Sequence, residues 1–107
     1  MFVEQYKRVI REKVLSDCRP DHAFWTCHGR VIRNIYELAD TIESLNEWSF
    51  LYHVNADNMK NDFSKWIDEV LEDPDLALRL KFVRDKKEYV RIIRARIAEL
   101  ENPKAEQ

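Results

Sequence analysis

A single glycine among 107 residues, with only three prolines, constrains this chain more than any motif in it. Glycine and proline are the residues that most readily reverse a backbone. With so few of them, tight turns must be rare and most of the length must lie in helices joined by short connections. Gly29 marks the one place where a sharp reversal is expected. The run from Phe24 to Ile32 predicts two short strands around His28-Gly29, with the positive φ of a two-residue hairpin loop falling on the glycine.

The helices announce themselves by spacing and by caps. Val3, Tyr6, Ile10 and Val14 form an apolar stripe over residues 3–16, which Cys18-Arg19-Pro20 ends. Asn34 caps a second helix, with Glu37 three residues on as in a capping box, and Ile35, Leu38, Ala39, Ile42 and Leu45 make its buried face. Asn46 caps a short helix over residues 47–54, to which Trp48, Leu51 and Tyr52 supply apolar surface. Residues 55–60 read as a polar loop. Asn61 or Asp62 then caps a helix whose Phe63, Trp66, Ile67, Val70 and Leu71 face inward. Asp73-Pro74 reads as a stop and restart. The last helix is expected from Pro74 to near Glu101, with Val83, Lys86, Val90, Ile93, Ile97 and Leu100 as a heptad-like seam and a frayed tail beyond.

The expected fold is therefore α+β and mostly helical, with about five helices and one short two-stranded antiparallel hairpin. The length predicts a single domain over 1–107, with a core at 21–80 flanked by helices at 3–16 and 82–101. A hydrophobic share of 45% with 11% aromatics is enough for a core without staples and excludes the disordered class. Met1 to Arg8 lacks the apolar centre of a signal peptide, and no apolar run approaches membrane-spanning length. The expectation is a soluble cytoplasmic protein without a membrane partner, in which Cys18 and Cys27 stay reduced.

The net charge of −2 hides segregation. Residues 1–36 carry +3, residues 37–75 carry −9 and residues 76–107 carry +4. Either the opposite segments attract one another within the fold, or they form charged faces for a partner.

The aromatic hairpin, the capped Asn34-Ile35-Tyr36-Glu37-Leu38 helix, Tyr52-His53-Val54-Asn55, Asn61-Asp62-Phe63-x-x-Trp66-Ile67 and Asp73-x-x-Leu76-Ala77 occur in an order that resembles a small domain family of unknown function from archaea and bacteria. The match runs from about Asp21 to Leu80, and the flanking helices lie outside it. The resemblance implies a fold and carries over no catalytic residue, cofactor or partner. It also implies a glycine just before Asp73, where this chain has Leu71-Glu72.

Five kinds of chemistry are open to these residues. Cys18, His22, Cys27 and His28 fall within eleven residues and are of zinc-binding type, but their spacing is not that of common fingers or ribbons. A core cysteine and a turn histidine fit the pattern better, and no metal or cofactor is expected. Cys27 with His28 or His53, oriented by Asp62, has the residue types of a thiol–imidazole pair, yet no nucleophile turn or oxyanion loop accompanies them. His53, Asn55, Asn61 and Asp62 flank one loop and suit either a small-ligand or enzyme site, or caps that tie the loop down. The basic residues of the final helix, with acids interleaved and a pI of 5.9, offer nucleic-acid binding as an alternative. The leading expectation is a non-enzymatic interaction or regulatory module. It would act on a protein partner or a second copy through Arg84, Val90, Arg91, Ile93, Arg94 and Ile97, with Trp25 and Trp48 as anchors if exposed.

Overall fold

Side-chain caps set the helix starts of this chain. Asn34 accepts from the Glu37 N–H at 2.8 Å, Asn46 from Ser49 at 2.8 Å, Asn61 from Ser64 at 3.2 Å and Asp73 from Leu76 at 3.2 Å. Each satisfies a first-turn amide that has no partner inside its own helix. A further cap, Asp85 on the Glu88 N–H at 3.0 Å, was not expected. These starts are seen in a computed structural model of the protein. It describes residues 2–55 and 59–102, with side chains from residue 8 onward. The expected faces of Val3 and Tyr6 and the expected frayed tail beyond residue 102 lie outside the described residues.

The chain runs from α1 (Phe2–Leu15) through a single 3₁₀ turn at Pro20–His22 into β1 (Phe24–Trp25) and β2 (Val31–Ile32). α2 (Ile35–Ser44) and α3 (Glu47–His53) lead to β3 (Val54–Asn55) and β4 (Lys60–Asn61). α4 (Asp62–Trp66) continues without a break into a π-helical turn, Ile67–Leu71, before α5 (Pro74–Leu80) and α6 (Lys86–Glu101). The fold is α+β and mostly helical, as the composition implied. Among the described residues no helix is long and apolar enough to cross a membrane.

Three local readings need correction. The first hairpin pairs Phe24 with Ile32 and Trp25 with Val31, and Thr26 N–H also donates to Arg30 O at 2.9 Å. Its loop is therefore Cys27-His28-Gly29, three residues rather than two. Gly29 closes the loop at φ +79, the left-handed position such loops require. Secondly, residues 55–60 are not wholly loop: Val54 pairs with Asn61 and Asn55 with Lys60 in a second antiparallel ribbon. Strands of two residues are too short to leave an alternation in sequence.

Thirdly, the helix expected from Pro74 to Glu101 is two helices. Turn hydrogen bonds from Lys81 to Leu78 and from Val83 to Leu80 close α5, and the Asp85 cap opens α6. Apolar spacing runs through both halves, so periodicity alone could not reveal the break. The consequence is large. α6 folds back over α2 and α5, and Val90, Ile93 and Ile97 are buried with Ile35, Leu38, Ile42 and Val14 in one core cluster. The seam read as a partner surface is the domain's own core. Lys86, the odd member of that seam, donates to Glu43 O at 3.1 Å and to Leu45 O at 2.7 Å. Its ammonium thus satisfies carbonyls at the end of α2, where a cation also meets the negative end of the helix dipole.

Candidate functional site

His53 ends α3 and Asp62 begins α4; the β3–β4 ribbon between them brings the two side chains together. His53 Nδ1 lies 2.9 Å from Asp62 Oδ2, and the Cys27 N–H donates to His53 Nε2 at 3.0 Å. An imidazole that accepts at Nε2 carries its proton on Nδ1 and donates it to the carboxylate, which defines the neutral tautomer. The ring is almost wholly buried among Phe24, Tyr52 and Phe63, with centroids 5.3, 5.0 and 5.0 Å away. Lys60 Nζ reaches Asp62 Oδ2 at 3.2 Å and Tyr52 O at 2.7 Å, and lies 4.1 Å over the Tyr52 ring. The cluster ties the first hairpin, α3 and α4 into one unit. Both ring nitrogens of His53 are committed to it, so no nitrogen faces a substrate.

The other members of the loop set are placed separately. Asn61 accepts from Ser64 N–H and from the Tyr89 hydroxyl, and donates to Leu80 O at 3.0 Å. It joins the start of α4 to the end of α5 and to α6. Burial pushes the Tyr89 phenol far above its ordinary range, and the hydroxyl acts there as a neutral donor. Asn55 is half-buried in β3. Asn61 is thus a helix cap and interhelix tie, while His53 and Asp62 satisfy each other.

The cysteine and histidine set does not converge. Cys18 is half-buried and its N–H donates to Arg33 O, whereas His22 is exposed beside Asp21. His28 hydrogen-bonds the Ser49 hydroxyl, and Cys27 is an exposed free thiol on the hairpin loop. Among the described residues no three His, Cys, Asp or Glu side chains are grouped to hold a metal. The Cys27 residue does meet His53, but through its backbone amide.

Four arginines of the C-terminal region are held by acids. Arg94 contacts Asp40 at 3.1 Å and Glu43 at 2.6 Å; Arg79 contacts Asp75 at 3.1 Å and Glu99 at 2.6 Å; Arg91 pairs with Glu88. Arg96 and Asp73 form a buried bidentate pair at 2.8 and 3.1 Å. Burial works against the Arg96 charge, but the hydrogen bonds and field of Asp73 and Asp75 outweigh it and hold the guanidinium above its ordinary value. Opposite charge segments thus attract one another within the fold. Of the six residues read as an interaction surface, Val90, Ile93 and Ile97 are core, Arg91 and Arg94 are paired, and Arg84 is exposed with no ion-pair partner among the described residues.

What the surface does expose is apolar. On α3, Ser49, Phe50 and His53 face inward, so Trp48, Leu51 and Tyr52 point out at 68%, 42% and 48% exposure; Trp25 is 65% exposed on β1. Two concavities share Lys60, Asp62 and Lys65. A shallow cleft of about 530 Å³ lies between Trp25, Tyr52 and Trp66, and a groove of about 740 Å³ runs between α4, α5 and residues 81–84. Sequence reasoning missed the groove because its walls, Met59, Leu78 and Phe82, come from separate elements.

The fold and its best-formed polar cluster define a small, mostly helical α+β domain that carries a buried histidine bonded to a half-buried aspartate. Residues 21–104 match the model of a family of unknown function (DUF5752), and the chain belongs to that family. The match takes in α6, which the motif resemblance had left outside. No curated protein and no solved structure matches the chain.

Proposed function

We propose that this domain is a prokaryotic, cytoplasmic interaction or regulatory module that works through protein–protein contacts rather than catalysis. The observation that carries the reading is the solvent exposure of Trp25 and Trp48 on neighbouring elements. Tryptophan is enriched at energetic centres of interfaces, and a contiguous exposed aromatic surface on a small domain marks an interaction site. The rings of Trp48 and Tyr52 lie 5.8 Å apart, tilted at 31°, and extend the surface along α3. Two free cysteines suit a reducing compartment. The nucleic-acid reading is weakened by the ion pairs that occupy Arg79, Arg91, Arg94 and Arg96. The enzyme reading is weakened by the commitment of both His53 nitrogens.

The test places the photo-cross-linker benzoylphenylalanine at position 25 or 48 in living cells, with exposed Glu12 on α1 as a control site. Defined adducts at 25 and 48 and none at 12 are expected, and their masses distinguish a partner from a second copy. Absence of adducts at both aromatic positions would reject the reading.

A further inference from the structure

We infer that the groove between α4, α5 and residues 81–84 receives an acidic, apolar peptide segment of a partner protein, an inference that rests on the interaction reading above. Its rim is apolar and open: Met59, Leu78 and Phe82 are 91%, 67% and 77% exposed. Its volume of about 740 Å³ suits a few inserted side chains of one segment rather than the flat face of a domain. Its charge is the second observation. Lys65, Lys81 and Arg84 line it with no ion-pair partner among the described residues, and Lys81 Nζ lies 5.4 Å over the Phe82 ring. Asp62 also lines it but is occupied by His53 and Lys60, which leaves Asp68, among the described residues, as the one lining acid without a cation. A chain of net charge −2 thus presents a basic, apolar groove. Carboxylates beside large apolar side chains are the complement of that surface: the apolar groups supply affinity, and the charges select and steer.

The test is selection of a displayed random dodecapeptide library on the full chain, followed by fluorescence anisotropy of the consensus peptide. Peptides rich in Asp and Glu among Phe, Leu, Met or Trp are expected. Binding should fall more than tenfold both in Lys81→Glu with Arg84→Glu and in Leu78→Ser with Phe82→Ser. The charge-reversed variant should in turn select basic peptides. All four positions are exposed, and circular dichroism melts verify that each variant folds. No enrichment, a neutral or basic pool, or full retention by either variant would overturn the groove assignment. So would equally strong, equally variant-sensitive binding of oligouridylate or phosphatidylglycerol vesicles, which would make the occupant a nucleic acid or a membrane. Cross-links at 25 and 48 alongside any of those results would leave the interaction reading standing and remove the groove alone.

Discussion

At the scale of single residues, two backbone positions carry opposite lessons. Gly29 and Glu72 both sit in the left-handed region, at φ +79 and +60. A Cβ on Gly29 would meet nothing within 4 Å, so the demand for glycine is conformational and not steric. Gly29→Val should therefore cost about 1–2 kcal/mol through φ alone, and Gly29→Asn distinctly less, as read by circular dichroism melts. An unchanged midpoint for the valine variant would remove the hairpin's need for this turn. Glu72 stands at the end of the π-turn, where its N–H and that of Asp73 both donate to Ile67 O. It occupies the place where the family resemblance implied a glycine. Relieving that strain, Glu72→Gly should raise stability by about 1 kcal/mol, less the loss of an exposed contact to Lys13 at 3.7 Å. A lower melting point would show that the contact, not the backbone, dominates there.

At the scale of elements, caps were the legible signal and connections were not. Asn34, Asn46, Asn61 and Asp73 each begin a helix because an Asn or Asp oxygen bonds amides two or three residues ahead, which a sequence displays directly. The break before α6 and the β3–β4 ribbon depend on a few residues whose pairing is set by packing. For that reason the contact of His53 with Asp62 could be suspected as a set but not as a bond, and the seam of α6 was misassigned to a partner. The pair of Asp73 with Arg96 was invisible for the same reason: the two are far apart in sequence and meet only because α6 turns back. Asp73 is 1% exposed and caps α5 while holding Arg96. Arg96→Met strands that carboxylate in the interior and should cost about 3–5 kcal/mol in urea unfolding, whereas removing an exposed charge costs far less. The buried seam yields a second expectation: Val90→Glu with Ile97→Glu should unfold the domain, not merely shift its oligomeric mass. A folded double variant of reduced mass on light scattering would restore the partner-surface reading.

At the scale of the whole molecule, the acidic middle of the chain meets its basic C-terminal region across the α2–α6 contact. The geometry is a fork, with one guanidinium NH₂ of Arg94 shared between Asp40 and Glu43 one turn apart on α2. All three side chains are exposed, so the apolar seam beneath them provides most of the docking energy and the charges fix which way α6 lies. Glu43→Arg should accordingly lower stability by about 1 kcal/mol or less at low salt, because Arg94 then faces a like charge. Adding Arg94→Glu should recover part of that loss, since the 43–94 pair is restored with its signs exchanged while the new carboxylate faces Asp40. Both the loss and the recovery should shrink as salt is raised from about 0.05 to 0.5 M, where exposed charges are screened over a few ångströms. A loss that persists undiminished in high salt would mean that Glu43 acts through packing and not through its charge. Failure of the second substitution to recover any of the loss would show that repulsion between the new carboxylate and Asp40 outweighs the restored pair.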